Sequence, residues 1–300
     1  MTTADLGSRA SDLGYQAGWS VVRHLPEPVA NRMFATAADS AFRRNGRLIQ
    51  QLRANLQVAA PQLTTPELEA LTKRAMRSYA RYWCEVFRLP QWSRAEIHDR
   101  LITHDAHLLF EAVDRGKGVV VVLGHCGNWD HLAAWATTSG LKVVTVAERL
   151  KPEALFDRFV AFRESLGLEV LPNVGDDSLS STLQDRLRAG HVLALVADRD
   201  LSGKGIAVDY FGRTTTMPAG PALLARRTGA EILSAGSWYD ATHTHLVIQP
   251  ELPVPTDVPI RTAVQQVTQA FAHRLEALVR EHPQDWHMLQ RVWDDVRPAG

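Results

Sequence analysis

Cysteine is scarce in this sequence of 300 residues, which contains only Cys84 and Cys126. Their spacing matches neither a CxxC pair nor another metal-binding pattern, so we expect no disulfide framework and no metal site. An excess of one charge is also absent, because 33 basic residues balance 33 acidic residues. Nucleic-acid binding is therefore not expected. Equal charge totals and a hydrophobic fraction of 45%, enough for one large core, favour a monomer.

Long hydrophobic segments are missing as well. The longest run made only of valine, isoleucine and leucine covers the five residues 119–123, whereas a membrane-spanning helix needs about 20 apolar residues. The first residues, MTTADLGSRASDLG, lack the charged start and the apolar stretch of a signal peptide. The sequence therefore predicts a protein that stays in the cytoplasm and does not span a membrane.

The first 60 residues are basic and amphipathic. They contain seven arginines against four acidic residues, a net charge of +3. Apolar and aromatic residues recur there at helical intervals: Tyr15, Trp19, Val22, Leu25, Met33 and Phe34. This pattern fits a helix lying on an anionic lipid surface. An ordinary amphipathic helix that packs on the core gives the same pattern, and the sequence alone slightly favours it.

The hydrophobic pattern changes along the chain. Apolar residues three and four apart predict a helix over 65–87, and from Gly118 short β-branched runs alternate with helical segments. The predicted strands are 119–123, 142–147, 169–171, 192–197, 231–235 and 245–249. The predicted helices of this half are 129–139, 153–166, 178–189, 219–229 and 261–280.

This alternation predicts an α/β fold with a mostly parallel central sheet flanked by helices, preceded by an amphipathic helical N-terminal region. We expect one domain over 1–300, in which 1–60 is helical. Residues 115–250 form the α/β catalytic core, and 260–300 form a C-terminal helix and tail.

The segment GVVVVLGHCGNWD at 118–130 carries the main candidate site. His125 follows the end of a predicted strand by two residues, and in open α/β sheets chemistry collects at the carboxyl ends of strands. Asn128 is the expected N-cap of the next helix, which puts Asp130 in its first turn. Gly127 allows a turn sharp enough for the Asp130 carboxylate to meet the His125 imidazole.

A neutral histidine, with an ordinary pKa of about 6.5, can remove the proton of a hydroxyl near neutral pH, and a carboxylate on its other nitrogen fixes the tautomer. Because no GxSxG motif is present, we expect the hydroxyl to belong to the substrate. Backbone N–H groups of 127–129 are candidate donors to the oxyanion. Cys126 is expected to point away from the histidine. The alternative is structural, with Asp130 capping the helix and His125 satisfying a strand end.

A second cluster, Asp198, Arg199 and Asp200, follows the predicted strand 192–197. Its carboxylates could accept hydrogen bonds from a polyhydroxylated acceptor, and Arg199 could bind phosphate. Two alternatives stay open. The Asp-x-Asp pattern also occurs where nucleotide-sugar glycosyltransferases hold a divalent metal, and the cluster could be a solvated loop with an internal ion pair.

A third cluster, Glu148, Arg149, Lys151 and Arg163, lies near the end of the predicted strand 142–147. Its basic residues could bind a lipid phosphate or the phosphates of an acyl carrier. Surface salt bridges are the alternative. The segments Tyr210-Phe211-Gly212 and 217–221 suggest a groove wall, or plain turns.

These clusters, in this order, together with RYWCEVFRLP at 81–90, FRESLG at 162–167 and DWHMLQ at 285–290, resemble the bacterial lipid A biosynthesis (lauroyl/myristoyl) acyltransferase superfamily. The resemblance runs across nearly the whole chain. Within the superfamily it is strongest to the actinobacterial phosphatidylinositol mannoside acyltransferases.

The resemblance implies transfer of a palmitoyl-type chain from acyl-coenzyme A to a mannose 6-hydroxyl of a phosphatidylinositol mannoside. It implies no cofactor besides the acyl-CoA donor and a hydrophobic groove for the acyl chain. It also implies peripheral attachment to the cytoplasmic face of the inner membrane, with the amphipathic helices of 1–60 docking on the membrane. That anionic membrane surface and the two substrates are the expected partners.

By the same resemblance, His125 is the general base and Asp130 its partner, while Glu148 and Arg163 line the acceptor side. The chain departs from the family pattern at Asp198, where a glutamate is expected. The acceptor is therefore less firmly indicated than the reaction. Rival interpretations are a metal-dependent glycosyltransferase using Asp198 and Asp200, an acyl-CoA thioesterase, and a non-catalytic lipid-binding protein.

Overall fold

A computed structural model describes residues 22–148, 153–173, 177–200 and 203–297 of the chain. The first part is helical and consists of α1 (Glu27–Arg44), α2 (Arg47–Ala59), α3 (Thr65–Arg88), α4 (Arg94–Asp99) and α5 (His107–Asp114). Helix α3 begins at a capping box, in which the Glu67 carboxylate accepts from the backbone N–H of Thr64 at 2.8 Å. The helix predicted over 65–87 is confirmed.

Strands and helices alternate in the second part. The strands are β1 (Leu101–His104), β2 (Val119–Leu123), β3 (Val143–Glu148), β4 (Glu169–Asn173), β5 (Val192–Val196), β6 (Ile206–Tyr210), β7 (Arg213–Met217), β8 (Glu231–Tyr239) and β9 (Thr244–Gln249). The helices are α6 (Trp129–Thr138), α7 (Glu153–Ser165), α8 (Asp177–Arg188), α9 (Gly220–Thr228) and α10 (Ile260–Glu281).

Seven of the strands form one sheet in the order β1-β9-β8-β2-β5-β3-β4. Every neighbouring pair in this sheet is parallel except β8 and β9. The predicted α/β fold with a mostly parallel sheet is confirmed. Strands β6 and β7 form a separate antiparallel hairpin, and the segment Tyr210-Phe211-Gly212, suggested as a groove wall or a turn, makes its tight connection.

Strand β2 lies between two hydrophobic cores, one on each face of the sheet. All five of its residues are buried. Val120 and Val122 face a core that includes side chains of α2, α9 and α10. Val119, Val121 and Leu123 face a second core that includes side chains of α5, α6 and α7. This burial on both faces explains why β2 reads as an uninterrupted apolar run and fixes the position of the residues that follow it.

The described part of 1–60 is helical, as predicted. Of the apolar residues that recur at helical intervals there, some are buried and others are exposed. Val22 is buried and the Phe34 ring packs against Phe87 with 6.0 Å between centroids, whereas Met33 is 43% exposed. Tyr15 and Trp19 lie outside the described residues. None of the helices in the described ranges is both long and apolar enough to cross a membrane.

Candidate active site

The strand register brings two predicted site residues together at the carboxyl edge of the sheet. Strands β2 and β5 are parallel neighbours in which Leu123 is paired with Val196. The pairing continues for one step, because the N–H of Ala197 donates to the carbonyl of Leu123 at 2.8 Å. His125 and Asp198 each lie two residues beyond that register pair. They are therefore lateral neighbours on adjacent strand ends.

His125 and Asp198 are joined by two hydrogen bonds. The Nδ1 atom of the imidazole lies 2.6 Å from Oδ1 of Asp198, and the backbone N–H of His125 donates to Oδ2 at 2.8 Å. The Asp198 side chain is fully buried, while that of His125 is 30% exposed. With Nδ1 bound to the carboxylate, Nε2 is the ring atom available to a substrate.

The buried carboxylate of Asp198 remains ionised near neutral pH. Burial would raise its pKa, but the electrostatic interaction with His125 and the side-chain and backbone hydrogen bonds from that residue together outweigh burial. The indole N–H of Trp286 adds a further bond to Oδ2 at 3.3 Å. The net effect is a pKa below the ordinary 3.8, so the carboxylate can hold the imidazole in one tautomer.

The predicted contact between Asp130 and His125 is wrong. The Asp130 carboxylate instead accepts from the hydroxyl of Tyr82 at 2.8 Å and from Nε of Arg163 at 2.8 Å. Asn128 caps α6 as predicted, because its Oδ1 accepts from the N–H of His131 at 3.0 Å. Asp130 therefore lies in the first turn of α6, where its side chain faces α3 and α7 rather than the end of β2.

The turn between β2 and α6 is tightly packed. Gly127 has a φ of +57°, and a Cβ there would lie 2.3 Å from Oγ of Ser237. The N–H of Gly127 donates to the carbonyl of Asp285 at 2.9 Å, and the N–H of Asn128 donates to Oγ of Ser237 at 3.3 Å. These two N–H groups are already used, so their prediction as oxyanion donors is wrong.

Cys126 is not suited to act as a nucleophile. Its side chain is 4% exposed, and burial raises the pKa of the thiol well above its ordinary value. A buried neutral thiol is unreactive, since the thiolate is the nucleophile.

The remaining predicted residues form separate contacts. Glu148 and Arg199 make an ion pair at 3.2 Å at the ends of β3 and β5. Asp200 accepts from the N–H of Gly205 at 2.7 Å, and Arg163 is held by Asp130. Arg149 and Lys151 lie outside the described residues. Across the described ranges, no three His, Cys, Asp or Glu side chains converge in a way that suits a metal ion.

An apolar cavity of about 50 Å³ lies behind the site. It is lined by side chains of α5, α6 and five strands, and Trp129 is one of its walls. The Trp129 ring contacts the His125 ring edge to face, with 5.3 Å between centroids, and lies 4.2 Å from the Tyr82 ring. Trp129 thus separates the imidazole from the cavity.

A basic group beside an apolar cavity suits acyl transfer, and comparison with known proteins identifies the family. The profile of the bacterial lipid A biosynthesis acyltransferases matches residues 7–295. The chain belongs to this family. It is 42% identical over 291 residues to a phosphatidylinositol mannoside acyltransferase of Mycolicibacterium smegmatis, covering 96% of this chain and 93% of the relative. A phosphatidylinositol mannoside acyltransferase of Mycobacterium tuberculosis (strain H37Rv) is 41% identical over 290 residues, covering 95% and 89%.

The resemblance stated from the sequence motifs is therefore confirmed, and the chain is an acyltransferase. The structure adds residues of the candidate site that the sequence interpretation missed. The backbone N–H of His287 donates to the carbonyl of His125 at 2.7 Å, next to the Trp286 bond to Asp198. The DWHMLQ motif served only to indicate the family, although its tryptophan and polar residues were a signal for a role at the site.

Proposed function

We propose that this acyltransferase moves a palmitoyl-type chain from acyl-coenzyme A to a mannose 6-hydroxyl of a phosphatidylinositol mannoside, with His125 as general base. The observation that carries the proposal is the partly exposed His125 ring, which is bound at Nδ1 to a buried ionised carboxylate and contacts Trp129, a wall of the apolar cavity. The names of the two relatives support the acceptor.

In the proposed reaction, Nε2 of His125 accepts the proton of the sugar hydroxyl as its oxygen attacks the thioester carbonyl carbon. The tetrahedral intermediate collapses, the C–S bond breaks, and the imidazolium returns the proton to the leaving thiolate. Asp198 stabilises the imidazolium that forms between these steps and keeps Nδ1 protonated. The oxygen ester and free coenzyme A are the products, and no other reactant is consumed.

The acyl chain is proposed to enter the cavity behind Trp129. Two features of the cavity support this assignment: its lining is apolar, and only Trp129 lies between it and the imidazole. An acyl chain whose thioester carbonyl lies near Nε2 would find its nearest apolar space there. A volume of about 50 Å³ holds only a small part of a long acyl chain. Binding therefore requires the lining side chains, with Trp129 foremost, to move.

The polar side of the site is proposed to receive the glycolipid head group. Nε of Arg199 is buried and has no hydrogen-bond partner among the described residues, although the same guanidinium is paired with Glu148. An unsatisfied N–H on a cation is suited to a phosphate oxygen. Glu148, 49% exposed, is suited to accept from a sugar hydroxyl.

The test is mass spectrometry of lipids after incubation of the purified protein with palmitoyl-coenzyme A and phosphatidylinositol mono- or dimannosides. We expect a lipid heavier by one acyl chain, absent with His125→Ala and unchanged with His107→Ala, an exposed histidine on α5. Free fatty acid as the sole product would establish the thioesterase alternative instead. Full activity in His125→Ala would remove His125 from the mechanism.

We further propose that α1 and α2 attach the protein to an anionic membrane surface. Val29, Met33 and Leu48 are 52%, 43% and 59% exposed, and exposed arginines, including Arg32 and Arg47, lie beside them. Apolar side chains flanked by arginines suit insertion among anionic head groups.

Flotation with phosphatidylglycerol vesicles tests this attachment. Val29→Asp combined with Met33→Asp is expected to lower the bound fraction severalfold. Ile260→Asp, which changes an equally exposed apolar residue at the start of α10, is expected to leave binding intact. Equal binding by all three proteins would contradict the proposal.

A further inference from the structure

The segment Asp285-Trp286-His287 lies directly against the loop that carries His125. The N–H of His287 donates to the carbonyl of His125 at 2.7 Å, and the N–H of Gly127 donates to the carbonyl of Asp285 at 2.9 Å. Together they form an antiparallel bridge between Cys126 and Trp286. The backbone of this loop is therefore held on both sides of Cys126.

The Trp286 side chain reaches the other member of the pair. Its indole N–H donates to Oδ2 of Asp198 at 3.3 Å, the same oxygen that accepts from the backbone N–H of His125. Two donors on Oδ2 fix the plane of the carboxylate and leave Oδ1 directed at the imidazole. They also disperse part of the negative charge and help to lower the pKa of the Asp198 carboxyl.

Packing fixes the direction of the indole. Trp286 has no exposed surface, and its ring is surrounded by those of Tyr210, Phe211 and Trp293 at centroid distances of 5.9, 6.1 and 6.2 Å. A ring enclosed in this way cannot rotate without displacing its neighbours. The N–H is thus aimed at Asp198 by the core rather than by the hydrogen bond alone.

A buried polar cluster attaches the segment to α3. The hydroxyl of Ser78 donates to Oδ1 of Asp285 at 2.5 Å, and Nε2 of His287 lies 2.9 Å from the same hydroxyl. Because the serine proton is used by Asp285, Nε2 of His287 must be the donor. The segment is therefore held on one side by α3 and holds the His125 loop on the other.

We infer that Trp286 is a positioning residue for acyl transfer, which sets the orientation and basicity of Asp198 and through it of the general base. The inference rests on the proposed role of His125 and extends it to a residue that touches no substrate. Removal of the indole N–H then slows the chemical step and leaves substrate binding largely unchanged.

The experiment compares Trp286→Phe with Trp293→Phe. Trp293 is a matched control, because it is also fully buried in this aromatic cluster and its indole N–H donates to a backbone carbonyl, that of Tyr210, at 3.2 Å. For Trp286→Phe we expect kcat to fall about 10- to 100-fold, the scale of one hydrogen bond to a buried charge, with KM nearly unchanged. Trp293→Phe should lose stability without this loss of kcat.

The pH–rate profile separates positioning from a general loss of packing. With one donor removed, the Asp198 carboxylate holds the protonated imidazole of His125 more strongly, so the acidic limb, which reports loss of the neutral base, moves to higher pH in Trp286→Phe and stays in place in Trp293→Phe. Equal kcat values and identical limbs in the two variants would overturn the inference.

Two further measurements keep the test decisive. If Trp286→Phe does not fold, Ser78→Ala loosens the same segment from the α3 side, and an unchanged kcat in that variant would overturn the inference. Proton NMR of the protein without substrate detects the deshielded Nδ1 proton shared by His125 and Asp198. Its resonance should shift in Trp286→Phe only, and equal shifts in both variants would contradict the inference. An inactive wild type with the expected NMR shift would instead refute the proposed reaction alone.

Discussion

Two buried carboxylates near the end of β2 hold different basic side chains. Asp198 binds the imidazole of His125, whereas Asp130 binds the guanidinium of Arg163. The spacing of His125 and Asp130 along the chain indicated a direct pair. The structure separates them because chain spacing does not specify which neighbouring strand end faces the histidine, and β5 supplies that neighbour.

Substitution by asparagine distinguishes the two carboxylates. Asp198→Asn removes the charge that stabilises the imidazolium and favours the wrong tautomer, so we expect kcat to fall by roughly 10⁴. Asp130→Asn leaves Arg163 unpaired in a mostly buried position, so we expect about 3–5 kcal/mol of lost stability. Steady-state kinetics and urea unfolding of both variants provide the measurement. A reversed pattern would return Asp130 to the role predicted from the sequence.

His287 should make stability depend on pH. Burial lowers its pKa from 6.5 to about 3, so between these values the unfolded chain takes up a proton that the folded protein excludes. The contribution of His287 to the free energy of unfolding is therefore fully present above pH 6.5. It decreases as the pH falls, by up to about 1.4 kcal/mol per pH unit. Urea unfolding at pH 7 and pH 5 should show a smaller loss for His287→Gln than for wild type. The exposed-site variant His107→Gln should behave as wild type, and equal losses in all three proteins would exclude this assignment.

Among the elements, six strands of the main sheet were predicted, whereas β1 and both strands of the hairpin, β6 and β7, were not. Strands β2, β3, β4, β5, β8 and β9 match the predicted segments within a few residues. Strand β1 has only four residues, and β7 reads RTTTM with a single apolar residue. These strands form because other strands of the protein pair with them, and the local sequence pattern does not indicate which segments will pair.

The turn from β2 to α6 depends on the absence of a side chain at Gly127. Gly127→Ala would combine a left-handed backbone with a Cβ 2.8 Å from the backbone carbon of Ser237, so we expect several kcal/mol of lost stability and a large loss of kcat. Gly116 has a similar φ of +73°, but a Cβ added there would lie in open space. The substitution Gly116→Ala should therefore lower the free energy of unfolding by only about 1–2 kcal/mol. Thermal unfolding and kinetics of both variants would show whether contact with Ser237 is what excludes alanine; equal losses would refute it.

At the scale of the whole molecule, the sequence motifs indicated the family and fold class, but not the assembly of the site. DWHMLQ was readable as a family signature, while its contact with His125 depends on the path of α10 across the sheet. Likewise, the basic amphipathic start of the chain was readable, but the sequence did not distinguish Phe34, which packs inward, from Met33, which is exposed. That distinction follows from the docking of α1 on α3.

The contact between His287 and His125 joins residues 162 positions apart in the chain. Contacts of such long sequence separation close large loops and form late in folding. Catalytic competence should therefore be the last property to return when the denatured protein is diluted into buffer. Stopped-flow circular dichroism and timed activity assays should show helix content recovering before turnover, so the assay reports complete folding of the chain rather than mere collapse.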